Sequence, residues 1–136
     1  MAKPIPVPDE VTKPFWDACD QDKLVMQQCT NCNRFQFPPE KTCSQCGSEA
    51  NLQFKQVSGK GTIYSYIVMH DVRIRVLQPL QPFNIVSVKL DDAPDVVMLT
   101  QLPGTDVDKV PVGAKVEVEF EEVAPGRKIP QFHVVS

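Results

Sequence analysis

The chain has 136 residues, of which 42% are hydrophobic and 23% charged, a composition typical of a small globular protein. Its formal net charge is −3, which gives no overall field for binding nucleic-acid phosphates. No apolar run approaches the ~20 residues of a membrane span, and the N-terminal residues lack the apolar stretch of a signal peptide, so we expect a soluble, cytoplasmic protein.

The N-terminal part, residues 1–22, is predicted to form an extended arm and a short helix. Alternating prolines at residues 4–8 keep the chain extended. Apolar residues then recur at helical spacing within residues 9–22. Phe15 and Trp16 are large apolar side chains for so short a helix, so they either cover the core or anchor a partner.

Four of the five cysteines form two C-x2-C knuckles separated by ten residues; these are Cys29, Cys32, Cys43 and Cys46. The two-residue spacer lets both sulfurs of a knuckle face one point, and four thiolates close a tetrahedral metal shell. We therefore expect a structural zinc site, with iron as the less favoured metal for the same ligands. Two disulfides are a weaker interpretation, because nothing in the sequence indicates export. The remaining cysteine, Cys19, is expected to be a small buried residue.

Residues 23–57 are predicted to form a rubredoxin-like zinc ribbon around these cysteines. Three short strands are expected, at residues 24–28, 34–37 and 52–57. Phe35 and Phe37 are expected on one face of the second strand. Gly47 follows the second knuckle, where a positive φ is often required.

Residues 58–136 carry five strand signals and no long helix. The signals lie at residues 62–70, 83–90, 95–102, 115–123 and 129–135. So few short antiparallel strands are best accommodated by a small closed barrel, for which the OB-fold is the natural candidate. The loop at residues 71–82 is long for a barrel connection, which is typical of a functional or mobile segment. The predicted fold class is mainly β, with a helical hook, a zinc ribbon and a five-stranded OB-fold barrel.

Several segments, in this order, carry a resemblance to a known family. They are residues 13–18, 23–32, 37–39, 43–48, 57–66, 112–116 and 129–132. Together they resemble the domain-of-unknown-function 35 proteins, which are also described as acyl-CoA-associated zinc-ribbon/OB-fold proteins. The resemblance covers nearly the whole chain. Two positions depart from the family pattern, because Asn33 stands where a glycine is common and Glu40 where an arginine is common.

The resemblance implies an accessory subunit of a hetero-oligomer. Its partner would be a thiolase-like acyltransferase, an aldolase or a hydratase that acts on acyl-CoA or β-keto substrates, and a contribution to acyl-CoA binding is also implied. The chain alone is not expected to be catalytic, because His70 and His133 lie in no catalytic or metal motif. The candidate contacts with the partner or with acyl-CoA are Phe15, Trp16, Arg34, Phe35, Phe37, Tyr64, Tyr66, Arg73 and Arg75.

The alternative function is a single-stranded nucleic-acid-binding module, since OB-folds and zinc ribbons both serve that role. Tyr64 and Tyr66 are expected on one strand face, where they could stack on bases. Against this, residues 58–136 hold eight basic and ten acidic residues, which makes a poor phosphate binder. A local patch of Arg34, Arg73 and Arg75 would suffice for the few phosphates of CoA, so the acyl-CoA interpretation is easier to satisfy.

Overall fold

The computed structural model of the protein describes residues 5–103 and 105–135. Residues 1–4 of the predicted arm lie outside the described residues, and residues 5–8 have no regular secondary structure. Helix α1 spans Lys13–Asp20 and has a proline in its first turn, where a missing N–H costs no hydrogen bond. None of the described helices is long and apolar enough to cross a membrane.

Helix α1 is shorter than the predicted helical segment at both ends. Before it, the Asp9 carboxylate accepts hydrogen bonds from the backbone N–H groups of Val11 at 2.9 Å and Thr12 at 2.8 Å, which hold a separate turn. After it, Asp22 adopts a φ of +62°, a left-handed conformation that a helix cannot continue. Within the helix, Phe15 and Cys19 lie one turn apart and are both buried.

The N-terminal sheet contains three antiparallel strands. They are β1 (Val25–Cys29), β2 (Phe35–Gln36) and β3 (Leu52–Gln56), in the order β2-β1-β3. Strand β2 is shorter than predicted, so Phe37 lies beyond its end and does not share a strand face with Phe35. Phe35 is buried, whereas Phe37 is half-buried.

The second sheet contains the five strands predicted for the C-terminal part. They are β4 (Lys60–Met69), β5 (Phe83–Leu90), β6 (Val97–Thr100), β7 (Lys115–Ala124) and β8 (Arg127–Val134), in the order β6-β5-β4-β7-β8. All their pairings are antiparallel. The predicted long loop between β4 and β5 contains a 3₁₀ helix at Arg75–Leu80.

The second sheet curls so that its two end strands approach each other. Strands β6 and β8 contact each other, although the described residues form no ladder of backbone hydrogen bonds between them. This curl confirms the predicted OB-fold-like architecture.

A single hydrophobic core joins the helix, the first sheet and the second sheet. Its members include Phe15 and Cys19 from α1, Leu24, Met26 and Phe35 from the first sheet region, and Val86, Val88, Met98, Val116 and Phe132 from the second sheet. Each fully buried aliphatic or aromatic side chain contributes about 1.5–3 kcal/mol. The helix and the two sheets are therefore stabilised by burial against one another. The predicted domain boundaries after residues 22 and 57 stay a prediction.

Polar contacts attach α1 to the β7–β8 hairpin. The Asp20 carboxylate accepts a hydrogen bond from the backbone N–H of Lys128 at 2.9 Å and lies 3.4 Å from the guanidinium of Arg127. The Lys128 ammonium lies 2.8 Å from the Asp22 carboxylate, and this hydrogen bond raises the pKa of Lys128. The end of the helix is thus held where Phe15 and Cys19 face the core.

Candidate metal centre

The four knuckle cysteines meet at one point. Their sulfur atoms all lie within 4.8 Å of one another. The Sγ atoms of Cys29 and Cys46 are 3.6 Å apart, as are those of Cys32 and Cys43. A tetrahedral metal with metal–sulfur bonds of about 2.3 Å requires sulfur–sulfur separations of about 3.8 Å. The cluster therefore fits a metal ion bound by four thiolates.

The same distances exclude the disulfide interpretation. A disulfide bond is about 2.05 Å long, and all five cysteines are free. Cys19 lies apart from the cluster in the core, as predicted, and burial raises the pKa of its thiol to about 12. Its thiol therefore stays protonated at neutral pH.

The two knuckles have the same backbone geometry. The N–H of Asn33 donates to the carbonyl of Cys29 at 2.7 Å, and the N–H of Gly47 donates to the carbonyl of Cys43 at 2.9 Å. In each knuckle the backbone N–H of the first cysteine donates to the carbonyl five residues later in the chain. Cys29 donates to Arg34 at 3.0 Å, and Cys43 donates to Ser48 at 2.9 Å. Two equivalent turns thus face each other and each contributes two sulfurs to the centre.

A left-handed residue ends each knuckle. Gly47 has a φ of +76°, as the sequence predicts, and Asn33 has a φ of +64°. Asparagine adopts this conformation more readily than most residues with a side chain. The departure from glycine at residue 33 therefore leaves the turn of the first knuckle intact.

Hydrogen bonds to sulfur prepare the cluster for a cation. The side-chain amide of Asn31 donates to the Cys46 sulfur at 3.5 Å and is the main reason that the pKa of this thiol is lowered to about 6. Backbone N–H groups, foremost that of Cys46, lower the pKa of Cys43. For Cys32 the N–H of Arg34 acts in the same direction, but burial and the neighbouring thiols outweigh it and raise the pKa to about 11. Metal binding must therefore displace protons from part of the cluster.

Two buried glutamines, which the sequence analysis did not single out, hold the segment between the knuckles. Gln36 donates to the side-chain oxygen of Gln27 at 2.6 Å and to the carbonyl of Thr42 at 3.1 Å, and its own oxygen accepts from the N–H of Ser44 at 2.9 Å. Gln27 exchanges two hydrogen bonds of 2.9 Å with the backbone of Glu40. These bonds position the second knuckle opposite the first.

The predicted aromatic contact residues near the ribbon lie at the junction of the helix and the two sheets. Phe15 is only 2% exposed and Phe35 is also buried, so neither offers surface to a partner. Trp16 and Phe37 are half-buried. Their ring centroids lie 4.9 and 5.1 Å, respectively, from the ring centroid of Phe15. Two roles were predicted for Phe15, covering the core or anchoring a partner, and the structure shows the first.

The three arginines of the predicted patch differ in their ion pairs. Arg34 lies 3.7 Å from the Asp95 carboxylate, which also accepts the N–H of Phe35 at 3.4 Å, so Arg34 connects the ribbon to the second sheet. Arg73 and Arg75 are exposed, and within the described part of the chain neither has an ion-pair partner.

Tyr64 and Tyr66 do not share a strand face, so that prediction is wrong. A bulge between Ile63 and Ser65 shifts the register of β4 against β5. Tyr64 is exposed and lies under the Lys89 ammonium, whereas Tyr66 is half-buried and donates its hydroxyl to the carbonyl of Asp108 at 3.1 Å. The pair therefore forms no stacking platform for bases.

Comparison with known proteins agrees with this architecture. Residues 16–52 match the family model "ChsH2, rubredoxin-like zinc ribbon domain", and residues 54–121, half of the chain, match "ChsH2, C-terminal OB-fold domain". A solved chain described as "Ltp2-ChsH2(DUF35) aldolase" has 28% sequence identity and a TM-score of 0.79, and the match covers 95% of this chain and 98% of that one. The chain belongs to the DUF35 family. The resemblance found in the sequence is thereby confirmed.

Curated relatives of this DUF35 chain differ in length. It is 32% identical over 119 residues to a probable enoyl-CoA hydratase alpha subunit of Thermomonospora curvata, which covers 87% of this chain but only 36% of that protein. It is 28% identical to a DUF35 domain-containing scaffold protein of Methanothermobacter thermautotrophicus, covering 74% of this chain and 73% of that one. A Sulfolobus solfataricus DUF35 structure of unknown function, 16% identical with a TM-score of 0.62 over 93% of this chain and 86% of that one, supports the fold alone.

If the four-cysteine cluster binds a structural metal, replacing a cluster cysteine should change metal content and stability, whereas replacing Cys19 should leave the metal content unchanged. Replacing Cys43 by serine removes a ligand, so we expect the variant to lose its bound metal and the ribbon to unfold. Cys19→Ala removes a buried sulfur outside the cluster and should keep one metal ion per chain. Elemental analysis of the purified proteins and circular dichroism measure both effects. A Cys43→Ser variant with full metal content and unchanged thermal stability would contradict this role of the cluster.

The hydrogen bonds of Gln27 and Gln36 predict that the loss of Gln36 weakens the retention of the metal. Gln36→Leu removes the hydrogen bonds of this side chain to the carbonyl of Thr42, the N–H of Ser44 and the side chain of Gln27, each of which contributes about 0.5–1.5 kcal/mol. We expect a lower free energy of unfolding and a metal release to a chelator that is about tenfold faster or more. Gln53→Leu, on the exposed side of β3, is the control. Equal release rates for the two variants would show that Gln36 does not support the centre.

Proposed function

We propose that the chain is an accessory subunit of an acyl-CoA enzyme complex and has no catalytic activity of its own. The observation that carries this proposal is the match to the chain described as "Ltp2-ChsH2(DUF35) aldolase", which extends over 95% of this chain. The name of the hydratase alpha subunit and the word scaffold in the names of two relatives support the same assignment. The partner would be an aldolase or hydratase subunit, and a thiolase-like partner stays a prediction.

The arrangement of the described residues supports a scaffolding role. Phe15, Phe35, Met26 and Phe132 belong to one core, so the ribbon and the second sheet present a combined surface to a partner. The four-thiolate centre has no position left for substrate or water, which favours a structural metal over a catalytic one. Such a chain contributes shape and contacts, and the chemistry would belong to its partner.

We further propose that the metal is zinc. Four thiolates in C-x2-C knuckles are a ligand set that zinc occupies in structural sites, and the matched family model is that of a zinc ribbon. A redox-inactive ion also suits a site whose task is to hold two knuckles together. Iron in the same site would colour the protein and is distinguished by absorbance and elemental analysis.

A contribution to acyl-CoA binding is proposed for Arg73 and Arg75. Both are exposed cations of the β4–β5 loop and have no ion-pair partner in the described chain. A guanidinium pair can bind the phosphates of CoA through charge-assisted hydrogen bonds. In this proposal the arginines hold the anionic part of the substrate beside the partner, where the reaction takes place.

The proposed function predicts a stable complex. Affinity purification of the tagged protein from its native host should recover an aldolase- or hydratase-like subunit in stoichiometric amount, identified by mass spectrometry. The recovered complex should bind CoA, and the Arg73→Ala/Arg75→Ala double variant should weaken that binding about tenfold. Lys109→Ala, which removes an exposed cation paired with Asp106, is the control.

Two outcomes would contradict parts of the proposal. Recovery of the chain alone, or with nucleic acid, would contradict the accessory role. Unchanged CoA affinity in the double arginine variant would contradict the acyl-CoA contact and leave the accessory role standing.

A further inference from the structure

The outer face of strands β4, β5 and β6 is an exposed apolar surface. In these strands Val86, Val88 and Met98 point into the core, so the residues that alternate with them point outward, and the bulge in β4 leaves Tyr64 exposed beside Ser65. The outward residues define what we call the outer β4–β6 face: Tyr64, Ser65, Ile67, Ile85, Ser87, Lys89, Val97 and Leu99. Leu99 is 70% exposed, Tyr64 60% and Ile67 57%.

The register makes these residues neighbours. Leu99 lies opposite Ser87, Ser87 lies opposite Ser65, and Ile67 lies opposite Ile85. Directly opposite side chains in antiparallel strands have Cβ atoms about 4.5–5.5 Å apart. The hydroxyls of Ser65 and Ser87 bond each other at 2.7 Å, so the centre of the face offers few free polar groups. Contiguous exposed apolar surface of this kind marks interaction sites, whereas isolated exposed apolar residues do not.

The face ends at strand β6, which is an edge in the described part of the chain. Strand β6 forms a hydrogen-bonded ladder with β5 only and contacts β8 on its other side without one, yet it carries the exposed side chains of Val97 and Leu99. An exposed edge strand with apolar side chains promotes aggregation unless something covers it. Coverage by a partner removes this hazard.

A cavity beside the face can receive an anchoring side chain. Leu77 and Leu80 of the 3₁₀ helix line it together with Ile85 and Leu99, and its volume is about 390 Å³. The binding energy of protein interfaces is concentrated in side chains that fill such desolvated pockets. The cavity and the face together therefore have the form of a protein-docking surface.

The charges of the face favour a foreign protein over a second copy of this chain. Lys89 is its one charged residue, with its ammonium 5.3 Å from the Tyr64 ring centroid. The acids of the turn that follows β5 are engaged elsewhere: Asp91 with Lys115, Asp92 with the N–H of Ser58, and Asp95 with Arg34. The face itself contains no aspartate or glutamate, so a twofold dimer that pairs the face with itself would leave Lys89 without an ionic partner. A complementary surface is therefore apolar and carries an acidic side chain.

Single-stranded nucleic acid fits the face less well. Such ligands need several aromatic side chains for stacking and a row of cations for the phosphates. The outer β4–β6 face has one tyrosine and one lysine, and its remaining large side chains are aliphatic.

We infer that the outer β4–β6 face docks the chain onto its acyl-CoA enzyme subunit, through an apolar surface of that subunit with an acidic side chain opposite Lys89. This inference rests on the proposed function and names the surface through which that function operates. It also places the neighbouring loop, with Arg73 and Arg75, at the border of the complex.

The test measures the affinity of purified variants for the enzyme subunit recovered with the wild-type chain. Ile67→Glu and Leu99→Glu place a charge in the interface and should weaken binding about tenfold or more. Lys89→Glu should weaken it as well, and the loss should shrink at high salt. Val112→Glu is the matched control, because Val112 is 57% exposed outside the face. All four variants should keep the thermal stability of the wild type.

Each outcome is decisive. Wild-type affinity in the Ile67→Glu and Leu99→Glu variants overturns the inference while the accessory role stands. Failure of the wild-type chain to bind any enzyme subunit overturns the proposed function and this inference with it. Dimerisation of the free chain that Leu99→Glu abolishes, seen by analytical ultracentrifugation, would assign the face to a second copy. Binding of an oligo-dT probe that Tyr64→Ala abolishes would assign it to nucleic acid.

Discussion

The convergence of four cysteine sulfurs within 4.8 Å is the constraint on which the rest of the structure depends. Thiolates at this separation repel one another unless a cation lies between them. Metal binding in small zinc modules supplies about 10–16 kcal/mol of apparent free energy, against about 1.5–3 kcal/mol for each buried apolar side chain. The metal is therefore expected to be the dominant stabilising interaction of the ribbon.

The metal centre also determines which side chains of the ribbon pack against the second sheet. The first knuckle joins the end of β1 to the start of β2, and these strands carry Met26 and Phe35 into the core that contains Phe132. Arg34 lies directly before Phe35 and forms an ion pair with Asp95 in the turn between β5 and β6. The chain thus becomes a single unit, and this packing leaves the apolar side chains of the outer β4–β6 face exposed.

The sequence predicted the features that depend on local spacing. The two C-x2-C knuckles identified the four cysteines that the structure brings together, and alternation identified the five strands of the second sheet. Features that depend on tertiary pairing were not accessible in this way. The bulge beside Tyr64 arises from the register of β4 against β5, so two tyrosines at alternating positions were wrongly placed on one face.

The structural roles of two buried polar residues were not predicted, for a related reason. Gln27 and Gln36 lie in strands next to apolar residues, but glutamine is usually exposed, and only the folded segment between the knuckles shows which backbone groups they satisfy. The outer β4–β6 face was not predicted either, because β6 is apolar on both sides of the sheet. Its residues Val97, Met98 and Leu99 give no indication of which side faces the core.

Hydrogen exchange of the second sheet before and after metal removal tests the central claim most directly. If the metal-bound ribbon is part of the same core, a chelator should reduce the protection of backbone amides in β5 and β8, around Val86 and Phe132, by about tenfold or more. The ribbon amides should lose protection in the same experiment. Loss of protection in the ribbon alone, with unchanged exchange in β5 and β8, would contradict the account and show that the two sheets are stabilised independently.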